Sequence, residues 1–227
     1  MRAAFDQELT ELRARLAELG EMVQAQLDHA LAALATGDSG AIQGIVVGDQ
    51  QIDQLSAEID WGLLRTLACQ APVASDLRLV AGLLHVNEHL ERMGDLCVNL
   101  VRAMPELVER PPPAEVRATL TQMGAAVRRV VKAALACLAD SDGAAAERLP
   151  ALDATVDQLN DRIFDQLEQI TDPTAVAWAT RLVLVARFLE RLGDQAVDVG
   201  EQVCFIVTGE VRELQPPKAA RTPTSPR

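Results

Sequence analysis

The chain is 227 residues long and carries a formal charge of −12, 33 acidic side chains against 21 basic ones. That balance excludes a nucleic-acid partner, because phosphate backbones are bound by a surplus of Lys and Arg; with four Phe, two Trp and no Tyr, stacking platforms for single strands are missing too. Ala, Leu, Val, Glu, Gln and Arg dominate and 49% of the residues are apolar, which is the palette of an all-α fold with an ample core.

No window approaches the roughly 18–20 uncharged apolar residues of a membrane span. The start, Met1-Arg2-Ala3-Ala4-Phe5-Asp6, lacks the apolar run of a secretory leader. The expectation is a cytoplasmic protein without direct membrane insertion. Cys69, Cys97, Cys137 and Cys204 form no CxxC pair and read as reduced thiols packed as small hydrophobes.

Six long helical patterns follow in order. The first runs from about Ala4 to Ala35, with Leu9, Leu12, Leu16, Leu19, Val23, Leu27, Leu31 and Leu34 at spacings of three and four, and stops at Thr36-Gly37-Asp38. The second runs from about Ser39 to Gln70 and ends at Ala71-Pro72, since proline biases the residue before it away from helix. The third spans about Ala74 to Val108 and meets Pro111-Pro112-Pro113, the best domain boundary in the chain. The fourth covers about Ala114 to Ala139. The fifth goes from about Ala144 to Thr171, with Pro150 near its first turns, and the sixth from about Thr174 to Thr208. Beyond Leu214 the chain is rich in Pro, Ser and Thr and reads as a disordered tail.

Three helices, a proline break and three more make an internal duplication. Asp49 matches Asp153, Pro72 matches Pro173 and Glu91 matches Glu190, at offsets of 104, 101 and 99. The expected architecture is two tandem three-helix bundles, residues 1–110 and 111–212, followed by the tail 213–227.

The chemistry concentrates in a motif written twice, Leu90-Glu91-Arg92-Met93-Gly94-Asp95 and Leu189-Glu190-Arg191-Leu192-Gly193-Asp194. Residues four apart share a helix face, so each copy stacks a glutamate over an aspartate, a repulsion of roughly a few tenths of a kcal/mol that invites a neutralising partner. Asp49 with Asp53 and Asp153 with Asp157 repeat the spacing on the preceding helices. Asp53 lies 19 residues before Pro72 and Glu91 lies 19 after it; Asp49 and Asp95 are each 23 away. At about 1.5 Å per residue these pairs sit at matching heights, about 28 and 34 Å from the bend. In the second hairpin Asp157 and Glu190 lie 16 and 17 residues from Pro173, and Asp153 and Asp194 lie 20 and 21. Each hairpin therefore brings four carboxylates to one level. Glu88 and Asn99 extend the first stripe, and Asp198 and Glu201 the second. Clustered oxygen ligands suit magnesium, manganese, calcium or iron, with zinc possible. The competing reading is a merely solvated acidic face with Arg92 or Arg191 pairing nearby.

Rivals are narrowed by what is missing. All three histidines (His29, His85, His89) lie in the first half, whereas ferritin-like di-iron sites need Glu-x-x-His on facing helices. His85 and His89, four apart, could hold a metal but fit a polar helix face better. No Ser-His-Asp constellation, Gly-rich phosphate loop or HExxH occurs, and no catalytic or organic-cofactor residues are assigned.

From about Phe5 to Glu210 the sequence resembles the PhoU family of phosphate-transport regulators. The resemblance rests on Ala71-Pro-Val-Ala-Ser-Asp-Leu-Arg78, the two LER-x-GD motifs, and Ala196-Val-Asp-Val-Gly-Glu201 running to Val207-Thr-Gly-Glu210. It implies two three-helix bundles whose acidic motifs hold metal ions. Carried across by position, the ligand candidates are Asp49, Asp53, Glu91, Asp95, Asp153, Asp157, Glu190 and Asp194, with Asp198 standing where the family often has Asn and strengthening the second site. His89 and Phe188 depart from the Asp or Asn often found before LER. The resemblance also implies a homodimeric cytoplasmic adaptor, recruited to the inner face of the membrane by its partners. These are the ATPase of a phosphate ABC importer and a sensor histidine kinase, and the adaptor restrains uptake and starvation signalling when phosphate is ample. The alternatives are a metal-dependent enzyme built on the carboxylates and a purely structural bundle.

Overall fold

Leucines at spacings of three and four wind the first helix, α1 (Arg2–Thr36), onto the core of a computed structural model that describes residues 2–215. Leu9, Leu12, Leu16, Leu19, Val23 and Leu27 are all buried along it, each burial stabilising the fold by roughly 1.5–3 kcal/mol. The helix ends where Gly37 takes a left-handed φ of 71°, and its N–H and that of Asp38 both reach back to the Ala33 carbonyl, at 2.8 and 3.2 Å. Helix α2 (Ala41–Gln70) likewise stops at a left-handed residue, Ala71, just before Pro72.

Helix α3 (Ser75–Arg102) is shorter than the expected run to Val108. Pro105 has no N–H and its ring clashes with a helical carbonyl four residues back. The ladder therefore tightens, with Met104 N–H bonding the Val101 carbonyl at 3.2 Å, and the chain restarts as the short α4 (Pro105–Glu109) with the proline at its start. Helix α5 (Ala114–Asp140) follows the triple proline. The expected fifth helix is in fact two. A one-turn α6 (Gly143–Ala146), capped by Asp142 through the Ala145 N–H at 2.9 Å, precedes α7 (Leu149–Glu168), which carries Pro150 in its first turn. A 3₁₀ turn at Pro173–Ala175 leads into α8 (Val176–Thr208), which ends at the left-handed Gly209.

Helices α1, α2 and α3 pack on one another, as do α5, α7 and α8. The two groups join through α3 against α8 and α1 against α5, over one continuous apolar core. Helices α3 and α8 run antiparallel: Gly82 faces Ile206, His89 meets Gln195 at 3.0 Å, and Arg181 pairs with Glu106 at 2.9 Å. After Gly209 the chain doubles back, and the Leu214 N–H donates to Glu201 at 2.8 Å. The tail expected to be disordered lies, from residue 216 on, outside the described residues. Among the described residues no helix is long and apolar enough to cross a membrane. Three cysteines are buried, Cys69 is exposed, and all four are free thiols.

Candidate functional site: two carboxylate clusters

Each cluster begins with one buried aspartate on the middle helix of its repeat. Asp49 on α2 is 9% exposed and Asp153 on α7 is 8% exposed. Both push a carboxylate oxygen against the following helix at the glycine of the repeated motif. A methyl group on Gly94 would stand 2.9 Å from Asp49 Oδ1, and one on Gly193 would overlap Asp153 Oδ1. The glycine that precedes each motif aspartate thus has a steric reason: it leaves room for a carboxylate from the neighbouring helix.

In the first cluster Asp49 is joined by Asp53, Glu91 and Asp95, and the charge of Asp95 acts on the other three. Burial raises the Asp49 carboxyl above its ordinary range; a hydrogen bond from Gln26 pulls it down, and Asp53 and Asp95 push it up again. Burial and then Asp95 raise Asp53. Burial raises Glu91, followed by the charges of Asp95 and Asp53, with Arg92 opposing.

In the second cluster burial pushes Asp153 up to about 7, with Asp157, Asp194 and Glu190 adding to the rise. Asp157 is raised by burial and then by Asp161. Glu190 is raised by burial, with Arg187 opposing through a 2.5 Å ion pair and Asp194 reinforcing. Asp194 is raised by burial, then by Asp157 and Asp198. Carboxylates gathered and desolvated in this way hold their protons or take a cation.

The ninth candidate, Asp198, borders this cluster but turns toward the other repeat. It accepts a hydrogen bond from Gln195 at 3.0 Å and lies 3.6 Å from His89 Nδ1 on α3. The stripe residues are otherwise engaged: Glu88 pairs with Arg92 at 2.8 Å, and Glu201 accepts from the returning chain. His85 is exposed on the helix surface, and Asn99 is exposed as well.

The donor set is all oxygen, which fits a hard cation. Asp153 Oδ1 and Glu190 Oε2 are buried without a hydrogen-bond partner, as ligand atoms awaiting an ion would be. Among the described residues no three His, Cys, Asp or Glu side chains converge as they would around one ion, and Asp53, Asp95, Asp157 and Asp194 are exposed.

One participant was absent from the sequence expectations. Gln26, 5% exposed on α1, donates from Nε2 to Asp49 Oδ1 at 2.9 Å and to the Gly94 carbonyl at 3.1 Å. Its signal was available: a lone amide between Val23, Leu27 and Ala30 on a face that is otherwise apolar and buried.

Comparison with known proteins agrees with this architecture. The family model described as the PhoU domain matches twice, over residues 16–104 and 120–203. The phosphate-specific transport system accessory protein PhoU homolog of Caulobacter vibrioides is 32% identical over 217 residues, covering 95% of this chain and 94% of that one. Its counterpart from Pseudomonas aeruginosa is 32% identical over 213 residues, 92% of this chain and 88% of that one. Among solved structures, PhoU from Pseudomonas aeruginosa superposes with a TM-score of 0.86 at 32% identity, over 91% of this chain and all of that one. The phosphate transport system regulatory protein PhoU from Streptococcus pneumoniae gives 0.85 at 28% identity, over 92% of this chain and all of that one. With two domain matches in tandem and relatives aligned from end to end, the chain belongs to the PhoU family.

Proposed function

We propose that this protein is the regulatory adaptor of a phosphate importer. It contacts the importer's ATPase and a sensor histidine kinase from the cytoplasmic side, works as a homodimer, and restrains uptake and starvation signalling when phosphate is ample. The observation that carries this reading is the alignment of 95% of the chain with proteins named as accessories of the phosphate-specific transport system.

The cation part of the proposal rests on the clusters. Asp49, Asp53, Glu91 and Asp95 would hold one site, and Asp153, Asp157, Glu190 and Asp194 the other, with Asp198 at its edge. A bound iron, zinc, manganese or magnesium ion would supply the positive charge that these gathered carboxylates lack. The chain's own contribution is to bury one aspartate per site, clear space for it at Gly94 or Gly193, and keep Asp53, Asp95, Asp157 and Asp194 exposed beside it.

Deleting the gene in its host is expected to leave starvation genes and phosphate uptake high in phosphate-rich medium. Unchanged phosphate control would sink the adaptor reading. Elemental analysis of the purified protein should find metal that is lost from the variant Glu91→Ala, Asp95→Ala, Glu190→Ala, Asp194→Ala. No metal in either protein after incubation with the four ions removes the cation sites.

A further inference from the structure

The two clusters come from one repeated motif, yet only one has its buried aspartate satisfied by the protein itself. In the first, Gln26 holds Asp49 Oδ1 at 2.9 Å. The same Nε2 bonds the Gly94 carbonyl at 3.1 Å, and two acceptors on one nitrogen fix which end of the amide faces the site. The cluster therefore looks into an N–H donor, whose partial positive charge repels a cation. Asp49, Asp53, Glu91 and Asp95 have no buried oxygen without a partner.

The second cluster has no such amide. Counting 23 residues back from Asp153, as Gln26 stands 23 before Asp49, reaches Val130; both residues lie ten positions before the end of their helix, α1 or α5. Val130 is fully buried and has neither donor nor acceptor on its side chain. Asp153 Oδ1, more than nine-tenths buried and pressed against α8 at Gly193, is left without a partner, and so is Glu190 Oε2. A buried, unpartnered carboxylate oxygen is costly until something positive or proton-donating reaches it.

We propose that the second cluster, on α7 and α8, takes up a divalent cation ahead of the first, and that the Gln26/Val130 difference sets this order. The proposal rests on the cation reading above and makes the two repeats unequal: one is a primary site, the other is held closed by an internal amide. A cation entering the first cluster must displace a hydrogen bond to a carboxylate, whereas one entering the second breaks no protein hydrogen bond at Asp153 Oδ1. The difference is about tenfold or more in affinity, the weight of one charge-assisted hydrogen bond.

Mn²⁺ binding tests this on the full chain by isothermal titration, with each cluster isolated in turn. Asp53→Asn with Asp95→Asn leaves the second cluster; Asp157→Asn with Asp194→Asn leaves the first. The second-cluster protein should bind Mn²⁺ at least about tenfold more tightly. Adding Gln26→Met to the first-cluster protein should tighten it by a similar factor, and adding Val130→Gln to the second-cluster protein should weaken it. Equal affinities or a tighter first cluster would overturn the order, and substitutions that leave both affinities unmoved would overturn its assignment to Gln26 and Val130; either result leaves the cation reading intact. Absence of Mn²⁺ from both clusters would overturn the two together. Helix content by circular dichroism accompanies each variant, and if Gln26→Met does not fold, the Val130→Gln arm decides alone.

Discussion

A single methyl group separates the motif from a collision at Gly193, where it would overlap Asp153 Oδ1, and at Gly94, where it would stand 2.9 Å from Asp49 Oδ1. Gly193→Ala should therefore destabilise the fold by about 1–3 kcal/mol, although alanine is the better helix former, because the carboxylate behind it is buried. Urea denaturation of the metal-free protein measures this, and a gain in stability would refute the steric account. Asp153 gives a second prediction at this scale. Its carboxyl is raised to about 7, so the folded state binds that proton more tightly than the unfolded chain does. Stability of the metal-free protein is then highest with Asp153 protonated and falls as pH rises from the ordinary carboxylate range to about 7. Asp153→Asn removes that titration. The variant should lose less stability across the window and exceed the parent at pH 8 by on the order of 2 kcal/mol; a parent that gains stability across the same window would refute it.

The helices show where sequence patterns sufficed and where they did not. Apolar periodicity located all six long helices because each buries a continuous stripe. It ran α3 on into α4 and fused α6 with α7, since periodicity continues through a break when the residues on both sides still face the core: Met104 and Leu107 are buried, and so are Ala146 and Leu149. Proline and capping chemistry decided those ends, at Pro105 and Asp142. Asp142→Ala should cost about 1 kcal/mol by removing the cap on α6, and an unchanged melting temperature would count against the cap. On α8 the scale of effects differs by position. Truncating the fully buried Leu189 to Ala should cost about 2–5 kcal/mol. Removing Arg181, whose pair with Glu106 is more than two-fifths exposed on both sides, should cost less than about 1 kcal/mol; equal losses would mean that the seam between repeats is held by ion pairs.

At the scale of the molecule, equal distances from the hairpin bends were enough to group the carboxylates, because helix rise is nearly constant and both arms start from one turn. The amide of Gln26 lay beyond that reasoning: it reaches the cluster from α1, a helix outside the hairpin, and no spacing within the hairpin reports on it. Side-chain direction was likewise out of reach: Asp198 falls on the acidic stripe of its helix and acts on Asp194, and it also meets His89 across the seam. If cations occupy the folded clusters and not the unfolded chain, binding is linked to folding. Mn²⁺ at about one hundred times its dissociation constant should then raise stability by about 2.7 kcal/mol per site, and a chelator should lower the melting temperature. A melting curve indifferent to both would exclude tight sites.

The antiparallel seam between α3 and α8 fixes where this protein tolerates a change of length. Inserting one residue between Gly82 and Glu91 would rotate the motif by about 100°, carry its glycine away from Asp49, and break the register with Ile206 and Gln195. At the hairpin tips, beyond the carboxylates, a change of length leaves that register in place. The two halves already differ there: from buried aspartate to proline the second repeat is shorter by three residues, and from proline to motif glutamate by two. The two hairpins thus differ at their tips by less than one helical turn per arm, while the carboxylates of each share one level.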